Sequence, residues 1–450
     1  MSNYLNQIAS YLCQCSFDDF PLNVVTKAKQ VLADSFAVIA TGAQEAEVKS
    51  LSKKIVLPSD PQIAALLNGR KRTEPMKAAF LNGTAGTFLE LDEGNQFARG
   101  HPGIHVVPAA LAVAEEYHLS GRQLITAVIL GYEIAARIGI ASKLRMSMHP
   151  HGTWGTVGAA VAVGKLLGYS EQTLKEIINL SSSLAVATSR KTMLEGGTVR
   201  NVYSGVSGFM GILAHQLIDC GFVGEADGLQ TVFGSVVSET FDPEAMVDGL
   251  GTRFEIARNY FKQYACCRYN HGTLDALQVI ASKLPGKKIA PQQVSKIEVT
   301  TYSLAAQLSN QTPKNTLAAK FSTPFAVATF IVNGQAGISA FTPEMVENSV
   351  IKALAHKVTV KEDPSLTALM PQRRPSRVRI TFTDGREIEA EVLINKGDFE
   401  DPYTHDELEQ KYYALTRPIW GQKLAEHIFS RIMTLEDIED VTQVTVLLAP

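Results

Sequence analysis

From about residue 20 to residue 270, apolar side chains recur with a helical period. Over residues 21–40, Val24, Val25, Ala28, Val31, Leu32 and Phe36 fall on one face. Pro21 stands where a first helical turn tolerates proline, and Gly42 follows as a stop. The same pattern predicts helices over residues 75–89, 107–117, 124–138, 156–167, 170–184 and 205–218. Several of these are apolar nearly all round, with Ala and Gly at the small positions. A helix of that kind is buried among other helices, and its small residues let backbones approach closely.

The pattern changes after His271. Residues 294–301, 377–382 and 387–392 alternate between apolar and polar, which predicts strands, and Asp384-Gly385 between the last two is a strong hairpin signal. Helical runs are predicted over residues 272–284 and 324–332, and the helical period returns past Pro402 over residues 406–415 and 419–432. The chain therefore reads as mainly α. A large all-helical domain is expected from residues 1–268 plus 402–450, with a smaller α+β domain, residues 269–401, inserted between them.

Composition narrows the function. Of 450 residues, 45% are hydrophobic and 19% charged, so there is ample material for a large core and intrinsic disorder is excluded as the main state. Formal net charge is −3, from 42 Lys+Arg against 45 Asp+Glu. A near-neutral chain has no bulk electrostatic footprint for nucleic acid or an anionic membrane, so an anionic ligand must be held by a local cluster of cations. Five cysteines make neither a disulfide framework nor a zinc site: Cys266 and Cys267 are adjacent, and Cys13 and Cys15 are one residue apart. The first residues lack a basic flank and apolar stretch, and no uninterrupted apolar run approaches the ~20 residues of a membrane span. These features point to a cytoplasmic protein.

The glycines fit neither GxGxxG nor a phosphate-binding loop after a strand, which disfavours nicotinamide, flavin and nucleotide triphosphate cofactors. Histidine is more informative. His101 in Gly-His-Pro-Gly, His149 and His151 in His-Pro-His-Gly, and His271 in Tyr-Asn-His-Gly all lie at helix breaks, where a side chain can be aimed into a cleft. None forms a tight metal-ligand pair, so no dedicated metal site is expected. Acids and cations stand close by in sequence. Glu90-Leu-Asp92-Glu93 ends a predicted helix just before Arg99, although acids at a helix C-terminus oppose its dipole and so need another reason to be there. Arg200 and Tyr203 share one segment, and Lys262 and Arg268 flank Tyr264-Ala-Cys-Cys267. An Arg fork suits a carboxylate, and a His suits proton transfer. Together they suggest proton abstraction beside a carboxylate, with no cofactor.

At these residues the chain resembles the MmgE/PrpD family, which includes 2-methylcitrate dehydratases, cis-aconitate decarboxylases and iminodisuccinate epimerases. The resemblance rests on the Ala78 segment ending Glu90-Leu-Asp-Glu93, on Gly100-His-Pro-Gly-Ile-His, on His149-Pro-His-Gly-Thr-Trp-Gly, on residues 197–211, and on Tyr264-Ala-Cys-Cys-Arg-Tyr-Asn-His271. It implies a large helical domain with a smaller α+β lid, a homodimer, and an active site between the domains with His271 near the crossing point. It places His101, His149 and His271 on the family's active-site histidines, and Asp92 and Glu93 on an acidic pair. Glu90 stands where that motif's first Asp would be.

Four positions depart from the family pattern: Glu90 itself, Arg200 where many members have Lys, Phe325 where decarboxylase-like members have Tyr, and Thr87 where many have His. His151 is an extra histidine. Arg200 cannot give up a proton and Phe325 cannot donate a hydrogen bond, which weakens a decarboxylase reading. The expectation is a cofactor-independent lyase or isomerase acting on a small di- or tricarboxylate. His101, His149 and His271 would be the catalytic histidines, and Asp92 or Glu90 would orient a histidine or carry a proton. Arg200 would clamp a carboxylate, with Tyr203, His151, Arg99 and Arg268 lining the substrate. A catalytically idle carboxylate binder remains open as an alternative, as does a metal-assisted hydro-lyase using His149, His151 and an acid.

Overall fold

The computed structural model describes residues 3–68 and 71–448. It is mainly α. Helices Leu22–Gly42, Pro75–Phe88, Pro102–Glu116, Gly121–Ala141, Trp154–Leu166 and Tyr203–Asp219 pack side by side in one body. Trp154–Leu166 runs through its middle, touching Gly121–Ala141, Pro102–Glu116, Tyr203–Asp219 and Glu171–Ser182. Nearly every residue of Trp154–Leu166 is buried, as expected of a helix apolar on all sides.

Small residues set the spacing at the crossings. Gly83 and Gly205 face each other where Pro75–Phe88 crosses Tyr203–Asp219, and a Cβ on Gly83 would lie 2.8 Å from the Gly205 Cα. The Gly121–Ala141 helix is long and apolar enough to cross a membrane, yet 94% of its most apolar window is buried inside the protein. It also carries a buried ion pair, Arg137 Nε to Glu133 at 2.6 Å, which a window of length and hydropathy does not register.

The smaller α+β part holds a four-stranded sheet in the order Glu387–Val392, Ser376–Phe382, Val294–Thr301, Val358–Glu362. All neighbours are antiparallel except Val294–Thr301 with Val358–Glu362, which is parallel. Gly385 takes the left-handed φ of 86° that the hairpin turn requires. Helix His271–Ser282 covers one face of the sheet, packing on Ser376–Phe382 and Glu387–Val392. The parallel strand escapes the periodicity reading because it is an edge strand with only Val358 fully buried.

Two helix boundaries differ from expectation for identifiable reasons. The helix expected over residues 107–117 begins at Pro102, with His101 as its N-cap; Gly103 and the internal Pro108 disguise its first turns. The break expected before residue 419 falls instead at Gly421, whose φ of 75° ends His405–Trp420 with Pro418 still inside it. Helices His405–Trp420 and Gln422–Met433 pack against Leu22–Gly42. Lys29 Nζ, for example, donates to the Met433 carbonyl at 2.8 Å. The α+β part meets the helical body through residues 94–100: Gln96 Nε2 donates to the Gln372 carbonyl and Arg374 Nη2 to the Gln96 carbonyl, both at 3.0 Å.

The Gly83–Gly205 crossing yields a prediction. A Cβ on Gly205 would sit 2.2 Å from the Phe80 carbonyl oxygen, a backbone atom that cannot rotate away. Alanine would gain about 1 kcal/mol in helix propensity, but overpacking of this kind typically costs about 1–3 kcal/mol. Gly205→Ala is therefore expected to lower the urea midpoint, whereas Gly168→Ala, with open space around it, should act only through its positive φ.

Candidate functional site

Helix Pro75–Phe88 stops at Leu89, and Glu90 then adopts φ 56°, an uncommon conformation for a non-glycine residue. This turn sends Glu90 and Asp92 inward, each 1% exposed. The acids that oppose the helix dipole thereby meet their compensation. Glu90 pairs with Arg200 Nη1, while Lys262 Nζ lies 3.7 Å from Glu90 and 3.3 Å from Asp92. Asp92 Oδ2 is in turn 3.1 Å from His101 Nδ1. The result is a buried ladder, Arg200–Glu90–Lys262–Asp92–His101, built from four separate segments of chain. Burial alone would raise the Asp92 carboxyl, but His101 and then Lys262 hold it well below the usual carboxylate range. Burial likewise opposes the charge on Lys262, yet Asp92 and Glu90 raise its ammonium above its ordinary value.

Glu93 does different work from its neighbours. Its carboxylate accepts from the Gly103 amide at 2.8 Å and from the Tyr132 hydroxyl at 2.9 Å, so it anchors the first turn of Pro102–Glu116. Its carbonyl oxygen lies 2.6 Å from His101 Nδ1. A carbonyl only accepts, so Nδ1 of His101 carries a proton, and in the neutral ring Nε2 keeps the lone pair.

His149 takes the opposite form. The loop from His149 to His151 is tied down by Thr188, whose hydroxyl sits 2.8 and 2.7 Å from the carbonyls of those two residues. In that loop the His151 amide donates to His149 Nδ1 at 3.1 Å, which leaves the proton of neutral His149 on Nε2. Arg200 Nε lies 3.4 Å from that same Nε2. Arg200 thus points its own N–H at Nε2, and a neutral ring has one bare nitrogen for the two donors, so the shorter backbone bond to Nδ1 is taken to fix the tautomer. Burial first, and then Arg200, hold the His149 and His151 imidazoles well below their ordinary basicity; burial lowers His105 to about 4. The ring of His151 sits 4.8–4.9 Å from those of His101, His105 and His149, and both its nitrogens lack partners among the described residues.

These groups surround a cavity of about 100 Å³. Of the residues expected from sequence, Glu90, Arg99, His101, His149, His151, Arg200 and Arg268 line it. Asp92 sits behind His101, and the Tyr203 ring lies 6.0 Å from His149. His271 is not among the lining residues. Its Nδ1 accepts from Arg268 Nη1 at 2.9 Å, so it stands behind Arg268 and orients it, while Asp398 neutralises that guanidinium. Arg200, expected as a free clamp, is already paired with Glu90. Phe325 packs on Phe341 within the core and is not a lining residue either, whereas Phe321 is one, so the missing hydroxyl at 325 withdraws no hydrogen bond from the cavity.

Sequence reasoning missed His105, Arg190, Tyr260, Tyr269, Lys320 and Arg374. Arg190, Tyr260, Tyr269 and Arg374 line the cavity. Lys320 lies beside it, donating to the Phe88 carbonyl at 2.9 Å, with burial lowering its ammonium to about 8. Only Arg374 carried a signal, as one of two arginines between Pro371 and Pro375. Asp92, His101 and His151 each offer a ligand atom within 4.8 Å of the others, a spacing that could hold a metal ion. An arriving cation would, however, meet Lys262 on Asp92 and Arg200 one step further along the ladder.

A mainly helical protein with imidazoles, buried acids and buried guanidiniums around one cavity has the groups that acid–base chemistry on a small anion uses. The comparisons with known proteins make this narrower. Residues 6–245 match the MmgE/PrpD N-terminal domain and residues 264–436 the MmgE/PrpD C-terminal domain, so the chain belongs to the MmgE/PrpD family. Its relatives include a cis-aconitate decarboxylase-like protein of Aspergillus oryzae, 23% identical over 99% of this chain and 97% of its own length. The cis-aconitate decarboxylase of Aspergillus terreus is also 23% identical, over 99% and 96%. The human cis-aconitate decarboxylase is 23% identical over 94% and 90%. These likenesses support a lyase-like, carboxylate-acting member of the family.

Glu93 supplies a test of the site's electrostatics. Burial, only partly offset by its hydrogen bonds, raises its carboxyl to about 8, against about 4.3 in an unfolded chain. A folded-state value above the unfolded one favours the protonated form in the fold. That stability is complete below pH ~4 and is lost as pH rises towards 8, at up to about 1.4 kcal/mol per pH unit. Glu93→Gln keeps the neutral form at every pH. Its melting temperature relative to wild type should therefore rise steadily between pH 5 and 8; a constant offset would mean that Glu93 is ionised throughout.

Proposed function

We propose that this protein is a lyase or isomerase that removes a proton from the carbon next to a carboxylate of a small di- or tricarboxylate. The observation that carries this reading is the pair of histidines with opposite tautomers on one cavity. In its neutral form His101, with Nδ1–H on a carbonyl, offers a bare Nε2, and His149, with an amide on Nδ1, offers an Nε2–H. The first is a base and the second a hydrogen-bond donor, which is the complementary pair that proton abstraction requires.

In the first step the C–H bond beside the carboxylate breaks, an N–H bond forms at His101 Nε2, and the electron pair delocalises onto the carboxylate as an enediolate. Asp92, 3.1 Å from Nδ1, stabilises the imidazolium that results. His149 Nε2–H and the Arg200 charge beside it face the developing negative charge. From the enediolate two outcomes balance. A β-hydroxyl can leave, taking a proton, which is dehydration; or the carbon can be reprotonated on its other face, which is epimerisation. The curated relatives are named for decarboxylation of cis-aconitate, a reaction that breaks a C–C bond in place of this C–H bond, and the name supports a substrate of similar size and charge.

The test is exchange of substrate α-hydrogen with solvent deuterium, followed by NMR over a panel of hydroxy- and unsaturated di- and tricarboxylates. Wild type should exchange at least one member. His101→Gln should slow that exchange by about 10²–10⁴-fold and His149→Ala by a similar factor, the usual contribution of a positioned acid or base. Unchanged exchange in both variants would remove the histidine assignment. Binding without exchange in wild type would favour a catalytically idle carboxylate binder.

A further inference from the structure

Arg374 is 2% exposed, yet it has no ion-pair partner among the described residues. Its Nη2 donates to the Gln96 carbonyl at 3.0 Å, while Nε and Nη1 are buried with no hydrogen-bond partner. The groups facing it are phenols: its guanidinium lies 5.4 Å from the Tyr260 ring and 5.5 Å from that of Tyr269. A buried guanidinium with two idle donors is costly unless an anion completes it. The other buried guanidinium and ammonium groups lining or bracing the cavity have partners: Arg200 has Glu90, Lys262 has Asp92, Arg268 has Asp398, and Lys320, set behind the lining, has the Phe88 carbonyl. Arg190 is the second exception. It is half-buried, its Nε and Nη2 atoms are enclosed and unpartnered, and it too lines the cavity.

The two unmatched guanidiniums reach the cavity from different segments of chain, one nearer each histidine. Tyr260 joins Arg374 to the His101 side, its ring 6.1 Å from His101. Arg190 stands by His149: its amide donates to the Ser147 carbonyl at 2.8 Å, while the His149 amide donates to the Thr188 carbonyl at 2.9 Å, so the two segments run side by side. Building on the proposed acid–base reading, we infer that Arg374 and Arg190 form two separate carboxylate subsites flanking His101 and His149, so that the ligand must carry at least two carboxylates. The carboxylate on Arg374 is the one beside the reacting carbon, because it lies on the side of the base. Arg200 then acts as a fixed charge over the reaction centre and is not a substrate clamp.

The experiment is equilibrium titration of purified protein with three probes of rising charge: butyrate, succinate and tricarballylate. Wild type should bind succinate or tricarballylate at least tenfold more tightly than butyrate. Arg374→Met and Arg190→Met should each abolish most of that preference, weakening the multivalent probes by about tenfold or more while changing butyrate by less. Arg374 also ties the two parts of the molecule together through Gln96, so a purely structural role is the competing explanation. It would weaken all three probes equally and lower the melting temperature, and that result overturns the inference. Wild-type preference retained in Arg190→Met would overturn it as well, and this variant serves if Arg374→Met does not fold. Binding is read without turnover, so failure of the histidine chemistry, seen as absent deuterium exchange with the probe preference intact, is distinguishable from failure of the subsites.

Discussion

The site depends on one buried ionic ladder, Arg200–Glu90–Lys262–Asp92–His101. Its four formal charges are two positive and two negative, so they cancel before any ligand arrives. Each of these ions lost its hydration on folding, and removing one partner from such an arrangement strands the others at a penalty of about 3–5 kcal/mol. The ladder therefore acts as a positional lock. It fixes the turn after Pro75–Phe88, the short helix Thr198–Val202, the segment after Asn259–Tyr260 and the start of Pro102–Glu116 relative to one another. No single one of these segments holds the site, and none can shift without uncoupling a buried charge.

Cancellation has a chemical consequence. With the ladder neutral and the histidines buried, His105, His149 and His151 stay uncharged, which keeps their lone pairs and N–H groups available. Their tautomers are then set by backbone groups: a carbonyl for His101, an amide for His149. A backbone carbonyl always accepts and an amide always donates, so in the neutral rings these partners fix which nitrogen carries the proton. Electrostatic neutrality of the interior thus leaves the acid–base polarity of the cavity to the fold of two loops.

How much of this was legible in the sequence follows the range of the interactions. The helical body was readable because its signal is local: Val24 through Phe36 repeat on one face whatever lies elsewhere. The hairpin at Asp384-Gly385 was readable for the same reason. The acids at the end of Pro75–Phe88 were visible as an anomaly, since they oppose the helix dipole, but their partners Arg200 and Lys262 lie more than 100 residues away and carry no local mark. His271 looked equivalent to the other histidines because its loop context is the same. Only the path of the chain shows that Arg268 stands between it and the cavity. Arg374 comes from the α+β part and reaches the cavity through a contact with Gln96 that no periodicity encodes.

The Arg at position 200, where the family resemblance places a Lys, can be understood from its contacts. A Lys has one nitrogen. Arg200 reaches Glu90 and the Thr87 carbonyl through Nη1, comes within 3.4 Å of His149 through Nε, and lies over the Phe321 ring at 5.3 Å. A single ammonium could satisfy one or two of these at a time and could exchange its proton; the planar fork satisfies them together and cannot. Here, then, the position has gained a permanent charge and lost a titratable one. Glu90 is the matching change, since a side chain one methylene longer than Asp can meet the guanidinium while staying within 3.7 Å of Lys262. A site that fixes Arg200 in this way must bind the negative charge of its ligand elsewhere, and the buried cations left without carboxylates are the ones positioned to do so.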